Sequence, residues 1–203
     1  NFIDAYSFTF FRIISASFTL VLIYFYKNKK LIFYKKTNWL SSFMLFLYAI
    51  TFSYSYLGIE AGFGTLLLFG VVQVVMIFAS LFYKEKLNTQ KIIGIVLAIL
   101  GLVYLLYPNE SFEVSFHHVF LMIISGIAWA IYTVLGKKSL NALTNTMDNF
   151  VKASLFVILF YIVFSFDSLY YSFNGIVLAI VSGSITSAIG YLFWYEVLPK
   201  IQI

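Results

Sequence analysis

The chain has 203 residues, of which 62% are hydrophobic and only 10% charged, with 13 Lys and Arg against 8 Asp and Glu for a formal net charge of +5. So little polar surface does not solvate a globule of this size, and the composition places the chain in a lipid bilayer. With no cysteine there is no disulfide framework, thiolate metal site or catalytic thiol. The basic residues form no interleaved basic and aromatic surface of the kind that binds nucleic acid.

Seven apolar runs approach the roughly 20 residues that a helix needs to cross about 30 Å of hydrocarbon. They are expected at 6–26, 39–58, 62–83, 91–107, 117–136, 150–166 and 175–198. The first carries Arg12 a turn or two inside its outer boundary. That guanidinium could snorkel outward, pair with Asp4, or hold a substrate carboxylate, the first two being favoured. The second run offers Ser41, Tyr48, Thr51 and Ser55. In the third, Gly62, Thr65, Phe69, Gln73, Met76 and Ser80 recur at three- and four-residue steps and so share one helix face. Gln73 lies near mid-membrane, where an unpaired amide is costly. It either bridges helices or faces a wet cavity, and the cavity is the favoured reading.

The fourth run is aliphatic apart from Gly94, Ala98 and Gly101, small residues that suit close helix packing. The fifth repeats the striped arrangement with His118, Met122, Ser125, Trp129, Tyr132 and Gly136, and Trp129 and Tyr132 lie too deep for an interfacial belt. The seventh does so with Ser184, Ser187, Tyr191, Trp194 and Leu198, while Glu196 reads as a solvated helix end. Each Ser, Thr or Gly on these stripes is equally suited to helix packing. No Asp or Glu falls at mid-membrane, so a proton relay has no visible carrier in these runs.

The gaps between the runs alternate in charge. Every lysine sits in, or at the edge of, alternate gaps: Lys27, Lys29, Lys30, Lys35 and Lys36 crowd the first, Lys84, Lys86 and Lys91 the third, Lys137, Lys138 and Lys152 the fifth, and Lys200 begins the seventh. The other gaps hold none, which makes the lysine-bearing side cytoplasmic. Asp4, Glu60, Glu110, Glu113, His117, His118 and Asp167 lie on the opposite side, whereas Glu85, Asp148 and Glu196 lie towards the basic one. A shift of 139 residues lays Ala49, Ile50 and Tyr56 on Ala188, Ile189 and Tyr195, and a shift of 140 lays Arg12 on Lys152. Helices are carried onto counterparts five crossings later, so the second copy enters from the other side, which is the parity of an inverted repeat. The lysines agree, since the Lys27 to Lys36 cluster ends its helix while Lys137, Lys138 and Lys152 begin the proposed counterpart.

The stretches IDAYSFTFFRIISASFTL (Ile3 to Leu20), GFGTLLLFGVVQVVMI (Gly62 to Ile77), YKEKLNTQKIIGIVLAILGLVYLL (Tyr83 to Leu106) and SGIAWAIYTVLGKK (Ser125 to Lys138) resemble the EamA family of the drug/metabolite transporter superfamily. SGSITSAIGYLFWYEVLP, Ser182 to Pro199, resembles the same part of the second repeat as Ser42 to Glu60 is of the first. The resemblance implies an all-α polytopic membrane protein with two inverted five-helix halves, in which the seven runs are the second to eighth helices. Residues 1–107 would then be a first repeat without its first helix, and 108–203 a second repeat without its last two; the chain reads as cut at both ends. It further implies a central cavity served by the first, third, fourth, sixth, eighth and ninth helices.

The expected function is export of a small metabolite, an amino acid or related neutral or zwitterionic solute, by alternating access, without covalent chemistry and with no cofactor or metal. Gln73, Trp129, Tyr132, Tyr191, Thr65, Phe69, Ser125 and Ser187 are the expected substrate-binding residues, the aromatic groups stacking on flat or apolar parts of the solute. A membrane-embedded enzyme is disfavoured by the lack of a His-Glu-x-x-His or Gly-x-Ser-x-Gly motif. A non-transporting scaffold or assembly subunit is the alternative. The expected partners are the solute and the bilayer, with a homodimer also open. Heavy use of Phe, Tyr, Ile, Lys and Asn suggests an AT-rich bacterial genome and hence a bacterial inner membrane.

Overall fold

The structure is a computed structural model and describes residues 2–29, 39–82, 89–106, 115–137, 139, 141–164 and 169–200. The expected topological markers Lys30, Lys35, Lys36, Lys84, Glu85, Lys86, Glu110, Glu113, Lys138 and Asp167 lie outside the described residues. All seven apolar runs form helices: α1 (Ala5–Asn28), α2 (Trp39–Ser55), α3 (Ala61–Phe82), α4 (Thr89–Leu106), α5 (Phe116–Gly136), α6 (Ala142–Phe164) and α7 (Phe173–Lys200). Five of them, α1, α3, α5, α6 and α7, are long and apolar enough to cross a membrane, while α2 and the apolar stretch of α4 are shorter. The chain is an integral membrane protein.

Contacts at the helix ends fix the direction of travel. Asp4 caps α1, its Oδ1 accepting from the Ser7 amide at 2.8 Å and its Oδ2 from the Tyr170 amide at 2.9 Å, and Ile3 bridges to Tyr171. α1 and α7 therefore start side by side. Thr9 of α1 donates to Ser53 near the end of α2 at 2.7 Å, and Ser55 donates to the His118 carbonyl at the start of α5 at 2.8 Å. One end of the bundle thus gathers the starts of α1, α5 and α7 with the finish of α2. Lys27, Lys29, Lys137 and Lys200 sit at the opposite ends of α1, α5 and α7, as the positive-inside pattern requires.

The helices pack by pairing small residues with bulky ones. A Cβ at Gly126 of α5 would press on Val71 and the Leu68 carbonyl of α3, so glycine there lets the two helices approach. α1 lies against α6 and α7, α2 against α5 and α6, and α3 against α5 and α4. Exchanging α1 with α6 and α2 with α7 maps the contacts among these four helices onto themselves. The shared core joins Ile13 and Leu20 of α1, Phe46 and Ala49 of α2, Tyr132 of α5, Phe150 and Ala153 of α6, and Tyr195 of α7.

Three expectations need correction. α6 begins at Ala142, eight residues before the expected 150, because Asn141 accepts a capping bond from the Thr144 amide at 3.0 Å. The polar run that depresses hydropathy there is buried: Asp148 and Asn149 face the bundle, and Asp148 pairs with Lys152 at 2.8 Å. Asp148 is thus inside a helix and not in a connection, about 9 Å beyond the helix start at 1.5 Å per residue, and Lys152, expected at the edge of the gap, lies well within the same helix. Finally, Gly94 and Gly101 of α4 meet no neighbour within 4 Å among the described residues, so the close packing expected of them is not seen there.

Candidate functional site

An aromatic strip links α3, α5 and α7. Trp129, three turns into α5, donates its indole N–H to the Tyr191 hydroxyl at 3.2 Å. Its ring stacks on Trp194 at 5.6 Å between centroids and meets the edge of Phe69 at 6.3 Å. Tyr191 in turn meets Phe150 edge-on at 5.5 Å and Tyr132 at 5.8 Å. Helical spacing then brings the remaining expected residues alongside. Thr65 and Gln73 are one turn either side of Phe69, Ser125 one turn from Trp129, and Ser187 one turn from Tyr191.

These residues do not share one exposure. Thr65 and Phe69 are exposed; Thr65 Oγ1 lies 2.9 Å from the Tyr56 hydroxyl. Gln73 is half-buried with no hydrogen-bond partner for its amide among the described residues, so it does not bridge helices in this conformation. Trp129 and Tyr191 are also half-buried. Ser125 is fully enclosed and donates to the Tyr48 carbonyl at 3.2 Å, tying α5 to α2. Tyr132 is fully enclosed as well, between Tyr191 and Tyr195. In this conformation Ser125 and Tyr132 hold the bundle together, whereas Phe69, Gln73, Trp129 and Tyr191 are not fully enclosed.

Arg12 is the group whose placement the sequence left open. Its Nε donates to Ser187 Oγ of α7 at 2.9 Å. Its guanidinium carbon lies 6.0 Å from the ring centre of Tyr48 and 5.9 Å from that of Phe52, both on α2. Asp4 is occupied by the Ser7 and Tyr170 amides, so the pairing with Asp4 is not formed, and Arg12 reaches across to α7 where snorkelling would take it outward. No carboxylate lies within ion-pair distance of it among the described residues. Ser187 belongs to a π-helical stretch, Ser182–Ile189, that interrupts α7. Such wide turns recur at functional sites. Gly183 in the same stretch permits the contact, since a Cβ there would collide with the Arg12 carbonyl oxygen and Ser15 Oγ.

Two other features belong elsewhere. His118 Nδ1 sits 2.7 Å from Ser115 Oγ at the start of α5, and among the described residues no cluster of His, Cys, Asp and Glu could hold a metal. A cavity of about 520 Å³ between α2, α5 and α6 is lined by Phe43, Phe46, Leu47, Ile50, Thr51, Tyr54 and their neighbours. At 100° per residue these lie on the face of α2 opposite Tyr48 and Phe52, and the lining is almost wholly apolar.

Known proteins resemble this chain in fold or in sequence. A solved crystal structure superposes with a TM-score of 0.73 at 13% identity, over 97% of this chain and 70% of that one, a likeness of fold. An uncharacterized protein of Pseudomonas aeruginosa is 36% identical over 97% of this chain and 68% of its own length. Two uncharacterized transporters of Archaeoglobus fulgidus are 32% and 25% identical, over 62% and 98% of this chain and 45% and 72% of their own. The profile of the EamA-like transporter family matches residues 1–107. On these matches and its all-helical membrane fold, the chain belongs to the EamA-like transporter family.

Proposed function

We propose that the full-length protein exports a small neutral or zwitterionic metabolite, of which amino acids are the type, across a bacterial inner membrane by alternating access. One observation carries this reading: the aromatic faces of α3, α5 and α7 converge on Trp129, and one turn along α3 from Phe69 lies an amide, Gln73, that the described residues leave without a partner. An unsatisfied amide in the membrane interior is expensive unless it faces water or a ligand. Aromatic faces flanked by a few hydrogen-bonding groups suit a small solute with one flat or apolar part.

The exchange of partners between α1 and α6, and between α2 and α7, supports reading residues 1–107 and 108–203 as parts of two inverted halves. In that reading the site lies at the interface of the halves, and rocking one against the other exposes it to each side in turn. The test is uptake and counterflow in liposomes containing the full-length protein, across a panel of amino acids. Movement of at least one solute faster than in empty liposomes, reduced by Gln73→Ala and Trp129→Ala, is the expected result. If no solute moves faster, the transport reading fails and the scaffold alternative takes its place.

A further inference from the structure

An arginine inside a membrane helix is costly, and such a group ordinarily faces the bundle interior and pairs with an acid or a carbonyl. Arg12 has the first property without the second. It sits seven residues, about 10 Å, beyond the start of α1; it is half-buried, and its side chain bonds only to neutral hydroxyls among the described residues, its Nε donating to Ser187 at 2.9 Å and the guanidinium also bonding to Tyr48. A guanidinium carries five N–H donors in a rigid fork. The hydroxyls of Ser187 and Tyr48 are neutral and leave the fork without a partner of opposite charge. Aromatic rings on α2 hold the cation near 6 Å, an attraction that positions it without neutralising it.

We propose that the missing counter-charge is supplied by the solute, and that Arg12, with Ser187 beside it, is the subsite that binds the solute's carboxylate. The inference rests on the transport reading and narrows its substrate class to small solutes bearing a single carboxylate. A carboxylate matches the guanidinium fork with two parallel hydrogen bonds. A phosphate dianion fits worse, because Arg12 is the one cation among the described residues of this region, Lys152 being paired with Asp148. Ser187 is one turn from Tyr191, whose hydroxyl receives the Trp129 N–H. A solute anchored at Arg12 would therefore lay its remaining part against Tyr191 and Trp129. The π-helical stretch supplies the adaptable element: Ser187 can release Nε as the carboxylate arrives, while Gly183 keeps α1 and α7 in contact.

The test uses the full-length protein in liposomes with matched pairs of probes: L-phenylalanine and L-phenylalaninamide, L-leucine and L-leucinamide, benzoate and benzamide. Uptake is read alongside quenching of tryptophan fluorescence. The expected result is that carboxylates compete for uptake and the matched amides do so on the order of a hundredfold more weakly. Arg12→Gln should abolish that preference and Arg12→Lys should retain part of it, with both variants eluting as wild type in detergent. If wild type prefers the amides or treats both alike, or if Arg12→Gln keeps the preference, the carboxylate subsite is overturned while transport stands. If wild type moves no probe at all, both readings fall. Should Arg12→Gln not elute as wild type, the wild-type ratio of carboxylate to amide decides alone.

Discussion

The two halves of the bundle each hold a half-buried cation, and they settle its charge differently. Lys152 of α6 takes the Asp148 carboxylate one turn earlier on the same helix at 2.8 Å, and its ammonium lies 4.9 Å from the Trp39 ring. Arg12 of α1 corresponds to Lys152 under the 140-residue shift, yet the residue one turn earlier is Phe8, so the cation faces rings and neutral hydroxyls but no acid. A charge already neutralised by its own helix is a structural tie. A charge left without an acid, beside Ser187 and Tyr191, is in the proposed reading available to something that comes and goes. On the proposed carboxylate subsite, the Lys152 end serves stability and the Arg12 end recognition.

Variants at the two cations should separate these roles. Lys152→Met leaves the Asp148 carboxylate buried and unpaired, and should cost about 3 kcal/mol in thermal unfolding in detergent. Adding Asp148→Leu should recover most of that loss, because the pair is then replaced by apolar groups. Arg12→Gln should behave in the opposite way, losing solute affinity by about a hundredfold with no fall in melting temperature, since it removes a charge whose desolvation no acid offsets. An equal loss of stability in the two variants would erase the contrast.

Smaller effects test how the Arg12 end is held. Gly183→Ala pushes a methyl group into the Arg12 backbone and Ser15, and should destabilise by about 2 kcal/mol while weakening solute binding. Both losses would be read from thermal unfolding and uptake in the same preparation. Asp4→Ala removes the cap of α1 and the tie to Tyr170, and should cost about 1 kcal/mol with solute affinity unchanged. A change in affinity for that variant would move the functional boundary outward from Arg12 to the helix start.

Much of this arrangement is legible in the sequence because the bilayer imposes length and charge rules on every span. The seven runs, the lysine side and the stripes through Phe69, Trp129 and Tyr191 follow from hydropathy and three- and four-residue steps. The start of α6 does not, because Thr146, Asp148 and Asn149 read as a polar connection until helix packing buries them. Spacing placed Tyr132 and Ser125 on the same stripe as Trp129, but a stripe does not distinguish a cavity wall from the adjoining helix contact. The direction of Arg12 depended on the π-helical stretch in α7, for which the small residues from Ser182 to Ser187 gave composition but no geometry.

The most direct test gives Arg12 the partner that Lys152 already has. Phe8→Asp places a carboxylate one turn before Arg12, and Phe8→Asn is the uncharged control. In liposomes containing the full-length protein, the account predicts that Phe8→Asp suppresses carboxylate uptake by about tenfold or more relative to Phe8→Asn. In an Arg12→Gln background the two Phe8 variants should be alike. Equal carboxylate uptake by Phe8→Asp and Phe8→Asn with Arg12 intact would contradict the account.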